Sequence, residues 1–141
     1  MSARYVLQMT SQPLATARAA NMALRPDMAE QFAGEQGTIP PGPVWTLLRD
    51  GEVLGMGGLE PKGASRSLGW LLVAEGLTPR DWAMGRRAMR EALDFAARRA
   101  VRRVQALVEA RRPEACALLL ALGFVATDRD GDNIIMTREL V

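Results

Sequence analysis

Residues 68–124, LGWLLVAEGLTPRDWAMGRRAMREALDFAARRAVRRVQALVEARRPEACALLLALGF, decide the fold of this chain. Leu68–Val73 and Val104–Val108 are short apolar runs and predict strands. Pro79–Ala100 lies between them and predicts a long helix, and Pro113–Leu122 predicts a short closing helix. Because a crossover of this length connects parallel strands, the two strands should pair in parallel. Open sheets of this kind bind ligands where strands part, beside a helix N-terminus, so the stretch also predicts a site.

The remaining elements are predicted outward from this stretch. A strand is expected at Arg4–Met9, a helix from Thr10 or Ser11 through Ala23, and a short helix between Pro26 and Gly34. The turn dipeptides Asp50-Gly51 and Asp130-Gly131 predict two hairpins, made by strands at Val44–Arg49 and Glu52–Gly58 and at Phe124–Asp128 and Asn133–Arg138. The predicted order is β-α-α-β-β-β-α-β-α-β-β, an α/β (α+β) domain over residues 1–141 with a mixed sheet and helices on both faces.

Composition excludes several classes of protein. A hydrophobic content of 48% excludes a disordered chain, and no apolar run approaches the roughly 20 residues of a membrane span. The N-terminus lacks a signal-peptide core, and a single cysteine, Cys116, fits a reducing cytoplasm. The chain has no histidine, which removes the commonest metal ligand and general base, so we expect no metal site.

The basic residues are concentrated in one segment. Ten of the arginines lie between Arg80 and Arg112, yet the formal net charge of the chain is only +2. Such a segment could follow a phosphate backbone if its arginines were unpaired on one face. The spacing of Arg87–Glu91, Arg90–Asp94 and Asp94–Arg98 at i,i+4 instead predicts ion pairs that partly neutralise a solvated helix face, which argues against nucleic acid as a partner.

The order of elements, with Ala115, Leu118 and Leu122 in the closing helix and Gly123-Phe124 directly after it, resembles the GNAT acyltransferase superfamily across essentially the whole chain. That resemblance implies the GNAT fold and acetyl-CoA as co-substrate. The chain looks closest to short GNAT-like proteins of tailed phages and prophages, which also carry a Trp-containing strand, here Gly69–Leu72, before an Arg-rich helix. Some of these are linked with virions, so the resemblance implies a cytoplasmic or virion-associated protein.

The family's cofactor motif, Arg/Gln-x-x-Gly-x-Gly/Ala, corresponds to Arg80-x-x-Ala83-x-Gly85. The resemblance implies a pyrophosphate cradle of backbone amides at the head of the long helix. The cofactor-binding residues would be Leu72, Val73, Arg80, Ala83, Met84, Gly85 and Arg86. The same residues also read as an ordinary capped helix, with Thr78 as N-cap, Pro79 at the first position and Asp81 at the third. In that register Gly85 lies inside the helix, where it could instead allow close approach to a strand.

Amine acetylation needs a base, and an acid can assist the leaving thiolate. The family often supplies a tyrosine acid at the position that is Leu119 here, and an asparagine at the position of Arg112. Cys116 could donate a proton, although a cysteine among small apolar residues is usually part of the core. The candidate bases are Glu75 and Glu109, which follow the two parallel strands, and each would need a raised pKa.

Two tryptophans on neighbouring predicted strands are candidates for the wall of the acceptor site. Trp45 and Trp70 could wall an acceptor pocket or pack in the core. Glu60 is a further, weaker candidate for the base.

The predicted function is an acetyl-CoA-dependent N-acyltransferase that transfers the acyl group directly to a small-molecule or protein amine. A homodimer is one possible state of such a protein. The alternative is a GNAT fold without catalysis, serving as a phage-derived structural or interaction protein. The start of the long helix distinguishes them. A loop with free amides favours the enzyme, whereas a capped helix with Asp81 turned inward favours the scaffold.

Overall fold

The computed structural model describes residues 3–22 and 39–140. The strands are β1 (Tyr5–Met9), β2 (Val44–Arg49), β3 (Glu52–Pro61), β4 (Arg66–Val73), β5 (Arg103–Glu109), β6 (Val125–Asp130) and β7 (Asn133–Glu139). The helices are α1 (Gln12–Asn21), α2 (Pro79–Arg98) and α3 (Pro113–Ala121). The predicted order is confirmed for the elements that lie in the described residues, and the predicted helix between Pro26 and Gly34 lies outside them.

All seven strands form one mixed sheet in the order β1-β2-β3-β4-β5-β7-β6. The neighbours are antiparallel except for β4 and β5, which pair in parallel as the crossover α2 requires. The predicted parallel pairing is therefore confirmed. The sheet consists of an antiparallel half, β1 to β4, joined through this one parallel pair to the half formed by β5, β7 and β6.

The hairpin turn predicted at Asp50-Gly51 and the predicted end of the closing helix before Gly123 are confirmed. Asp50 and Gly51 join β2 to β3 with φ values of 50° and 83°, as a two-residue hairpin turn with positive φ at both positions demands. Gly123 follows α3 with φ of 89°, so a residue that tolerates positive φ ends the closing helix as expected.

The helices pack on both faces of the sheet. α2 contributes Leu93 and Ala96 to a core cluster that includes Val104, Phe124 and Met136, and partly buried residues of α3 pack against it. On the other face α1 contributes Ala15 and Ala19 to a smaller cluster, whose sheet residues are Val44, Met56 and Leu72. The side of α2 that carries Leu93 and Ala96 is thus the face that packs on the sheet. Within residues 3–22 and 39–140, no helix combines the length and the apolar character of a membrane span.

Candidate functional site

The site predicted from the strand order is a gap in the middle of the sheet. The ladder between β4 and β5 runs only from Arg66↔Arg103 to Gly69↔Ala106. Beyond that pair β4 continues against β3 up to Val73, while β5 continues against β7 up to Glu109. The C-terminal halves of the two parallel strands therefore part from each other. An extended ligand could lie between them and hydrogen-bond to strand backbone.

The predicted cofactor residues lie around the C-terminal end of β4 and the start of α2. Leu72 and Val73 are buried in the diverging half of β4. Arg80 and Ala83 are exposed on the first turns of α2, and Met84, Gly85 and Arg86 are half-buried in the same helix. The structure thus brings these residues to one end of the sheet.

The start of α2 is a capped helix and not a loop of free amides. Thr78 is the N-cap, and its Oγ1 accepts from Asp81 N at 3.1 Å while Asp81 Oδ2 accepts from Thr78 N at 2.9 Å. Trp82 N donates to Thr78 O at 3.1 Å, so α2 is regular from its first turn. Because Gly85 lies well inside the helix, the amides of residues 83–85 face intrahelical carbonyls. The predicted backbone cradle is therefore absent in this conformation.

Asp81 also fixes the head of α2 to the edge of the sheet. Its side chain is only 1% exposed, and it accepts from Tyr5 Oη at 2.6 Å and from Arg49 Nη1 at 2.7 Å. Burial acts to raise the pKa of Asp81, but the hydrogen bonds from Tyr5 and Thr78 and the charge of Arg49 outweigh it. The pKa of Asp81 therefore lies below its ordinary value. The carboxylate of Asp81 thus lies at the helix N-terminus, where its negative charge disfavours a bound phosphate.

Gly85 does not serve close packing against a strand. A Cβ placed on Gly85 meets no heavy atom within 4 Å, so the space beside this residue is open. The expectation that Gly85 permits close helix–strand approach is wrong. A glycine in a helix interior without a packing reason lowers stability by roughly 0.5–1 kcal/mol relative to alanine. That open side of α2 leaves room for a ligand beside the helix.

The two candidate bases have different surroundings. Glu75 is exposed in the turn after β4. Glu109 ends β5, accepts from Arg111 Nε and lies 3.5 Å from Arg112 Nε. The hydrogen bond from Arg111 and the charges of Arg111 and Arg112 hold the pKa of Glu109 below its ordinary value. This is the opposite of the shift that a base working near neutrality needs.

The candidate acid Cys116 and the weaker candidate base Glu60 both have other contacts in the structure. Cys116 and Leu119 of α3 are partly buried and pack against the core cluster, so Cys116 belongs to the core packing and the hydrocarbon side chain of Leu119 supplies no acid. Glu60 forms an ion pair with Lys62 at 2.9 Å and lies opposite Leu68, at the paired end of β4. Glu60 therefore lies beside the closed part of the β4–β5 ladder and not beside the gap.

The two tryptophans do not wall one pocket. Trp45 on β2 pairs with Gly57, whereas Trp70 on β4 pairs with Gly58, the next residue of β3. Because successive residues of a strand point to opposite faces, the two indoles lie on opposite sides of the sheet. Trp45 packs edge-on against Phe95 of α2, with ring centroids 5.3 Å apart. The shared acceptor pocket proposed for them is therefore wrong.

Trp70 lies at the beginning of the gap and is tightly constrained. A Cβ on Gly58 would come within 2.5–2.7 Å of three indole atoms of Trp70, so only glycine leaves room for the ring. The indole Nε1 is buried and has no hydrogen-bond partner among the described residues. The sequence analysis did not predict this contact. The signal in the sequence was the glycine pair Gly57-Gly58 in the strand next to the one that contains Trp70, since glycine leaves room for a large neighbouring ring.

Comparisons with known proteins agree with this geometry. No curated protein matches the sequence. A GNAT-family acetyltransferase from Streptococcus pneumoniae superposes with a TM-score of 0.68 at 15% identity, covering 96% of this chain and 99% of that one. A Salmonella typhimurium protein solved with its cofactor acetyl-CoA gives 0.67 at 14% identity, covering 97% and 94%. Ribosomal-protein-alanine N-acetyltransferase from Brucella melitensis gives 0.65 at 18% identity, covering 95% and 99%.

These structures share the fold of the chain. The sequence model of the Acetyltransferase (GNAT) family matches residues 12–124, which run from the first residue of α1 to the Gly-Phe that follows α3. The matched part includes the parting strands β4 and β5 and the head of α2. The chain belongs to the GNAT acetyltransferase family.

Proposed function

We propose that the protein is an N-acetyltransferase that binds acetyl-CoA between the diverging halves of β4 and β5. The observation that carries this proposal is the end of the ladder at Gly69↔Ala106, which leaves an opening for the pantetheine arm. The GNAT family uses acetyl-CoA as its co-substrate. The acceptor is an amine, either a small molecule or a protein N-terminus or side chain.

The pyrophosphate would be held by side chains in place of an amide cradle. The amides that would form the cradle lie within a regular helix, and Asp81 caps its start. Arg80 is exposed beside this start, and its guanidinium lies 5.6 Å from the centroid of the Tyr5 ring. An arginine can bind phosphate through two parallel hydrogen bonds, and the open side of Gly85 gives the ligand access.

The reaction proposed is direct transfer. The neutral amine nitrogen attacks the thioester carbonyl, the new C–N bond forms, the C–S bond breaks, and the CoA thiolate leaves. A thiolate is weakly basic, with a pKa of about 8.5 by analogy with cysteine, so solvent can protonate it without a tyrosine. The proton of the amine passes to a base. Glu75 is the better candidate, because the arginine contacts of Glu109 make that carboxylate a weaker base.

Arg80→Ala is expected to weaken the binding of CoA by about 10- to 150-fold, the effect of one charge-assisted contact of roughly 1.5–3 kcal/mol. Isothermal titration with CoA measures the change. Arg66→Ala is the matched control, because Arg66 is exposed at the paired end of β4 and should leave the affinity unchanged. Equal affinity for wild type and Arg80→Ala would show that the phosphates bind elsewhere.

A second candidate, a GNAT fold that does not catalyse transfer, is favoured by specific observations. Asp81 is turned inward in a capped helix, which was the feature expected of the scaffold, and Leu119 packs in the core where an acid would be. A phage or prophage origin would belong to this candidate.

Turnover of acetyl-CoA against a panel of amines at pH 6–9 separates the two candidates. The enzyme should show turnover that Glu75→Gln reduces and Cys116→Ala retains. Tight CoA binding without turnover on any amine would favour the non-catalytic protein. No CoA binding at millimolar concentration would remove the proposed enzyme.

A further inference from the structure

The arginines of α2 do not form the ion pairs that their spacing predicted. In the described part of the chain, the guanidinium groups of Arg87, Arg90 and Arg98 have no carboxylate partner, and neither Glu91 nor Asp94 has a basic one. The expected ion pairs are therefore absent, although Glu91 and Asp94 lie on the same exposed side of the helix as these arginines. The argument against a polyanionic partner depended on those ion pairs.

The charge of the chain is divided unevenly. Residues 80–112 carry ten arginines and four acidic residues, whereas the rest of the chain carries eight basic and twelve acidic residues. Two of the four acids are already engaged, Asp81 by Arg49 and Glu109 by Arg111 and Arg112. Arg103 pairs with Glu139 at 2.7 Å. Only Glu91 and Asp94 remain to oppose the seven other arginines, which are Arg80, Arg86, Arg87, Arg90, Arg98, Arg99 and Arg102.

Six of the nine exposed residues of α2 are charged, and four of these six are arginines. Its exposed residues are Pro79, Arg80, Ala83, Arg87, Arg90, Glu91, Asp94, Ala97 and Arg98. From Arg80 to Arg98 the helix rises about 27 Å, a length over which duplex DNA presents several phosphates on each strand. We define these exposed residues as the arginine face.

We propose that the arginine face binds the phosphate backbone of a nucleic acid duplex, independently of base sequence. Arginine forms bidentate hydrogen bonds with phosphate, and 17 of the 18 basic residues of this chain are arginine. The arginine face has no aromatic residue on which unpaired bases could stack, which favours a duplex over a single strand. It also lacks the large apolar side chains of a helix that lies in a lipid surface, since the apolar side of α2 packs on the sheet.

Fluorescence anisotropy with a labelled duplex tests the proposal on the full chain. If about four phosphates are contacted, the logarithm of the affinity should fall with the logarithm of salt concentration with a slope of about −3.6. Two duplexes of unrelated sequence should bind equally. No binding to a duplex at about 50 mM salt would overturn the proposal, as would equal binding to anionic phospholipid vesicles through the same residues.

The variant Arg87→Glu/Arg90→Glu should weaken binding by at least about tenfold and reduce the salt slope by about two. The control variant Arg18→Glu/Arg129→Glu changes the net charge of the chain by the same amount, but its substitutions lie in α1 and β6, outside the arginine face. It should change binding by less than about twofold. Arg87→Gln/Arg90→Gln should also weaken binding, which guards against effects of charge reversal on folding. Equal loss in the control pair would show attraction by net charge alone.

The response to CoA separates this surface from the cofactor site. Arg87→Glu/Arg90→Glu should keep the thermal stabilisation that CoA gives the wild type while losing the duplex. If both are lost together, the two arginines belong to the phosphate site of the cofactor, and the proposed nucleic acid surface is wrong.

Discussion

Asp81→Ala is expected to lower the free energy of unfolding by about 2–4 kcal/mol, because it removes half of the capping box of α2 and leaves the partly buried Arg49 with only the more distant Glu52 as a carboxylate partner. The carboxylate accepts from Tyr5, Arg49 and Thr78, so a single substitution releases the head of α2 from β1 and β2. Urea unfolding measures the change. Asp81→Asn keeps the shape of the side chain and should lose less stability, while Tyr5→Phe should lose less again. A loss below about 1 kcal/mol for Asp81→Ala would mean that this cluster does not anchor the helix.

The same carboxylate predicts the direction of the acid response. Its pKa is lower in the folded protein than in the unfolded chain, so its contribution is present above about pH 4 and is lost as pH falls through the folded value. The pKa of Tyr5 is raised by its hydrogen bond to Asp81, so the contribution of Tyr5 is lost as pH rises beyond about 10. Asp81→Asn should therefore flatten the loss of stability below pH 4. An unchanged acid profile would contradict the assigned cause.

Gly58→Ala is expected to destabilise the protein by about 2–3 kcal/mol, because the added methyl group would overlap the Trp70 indole and force it to move. A double-mutant cycle tests this cause directly. In a Trp70→Ala background the methyl group has room, and Gly58→Ala should cost much less. Gly69→Ala is the matched control on β4, since a Cβ there meets its nearest neighbours at 3.7 Å. Additive effects of the two substitutions would show that the indole does not require the glycine.

The fold was predictable because its signals are local. The hairpin at Asp50-Gly51, the helix stop at Gly123 and the crossover between two apolar strands each depend on a few adjacent residues. Thr78 and Asp81 likewise predicted the capped helix that the structure shows. The same residues also fitted a phosphate cradle, and only the helix start seen in the structure distinguishes the capped helix from the cradle.

The site was less predictable because its contacts join distant parts of the chain. Tyr5 and Asp81 are 76 residues apart, and nothing in their neighbourhoods marks them as partners. The side of the sheet on which Trp45 and Trp70 each lie depends on the register of the strands, and a shift of one residue moves a side chain to the opposite side. The pairing of Glu109 with Arg111 depends on how the turn after β5 folds back. The ion pairs expected along α2 are absent. The i,i+4 spacing lets long exposed side chains reach each other, but such contacts are too weak to hold the side chains together.

The binding of acetyl-CoA between β4 and β5 is the central claim. Its most direct test is a ¹H–¹⁵N correlation spectrum recorded during titration with acetyl-CoA. We expect the largest shifts at the amides of Leu71, Leu72 and Leu107 in the diverging strands and at Gly85 of α2, with little change at Arg66 and Arg103, where the ladder is closed. No shifts at millimolar acetyl-CoA, or shifts confined to the outer side of α2, would contradict the account.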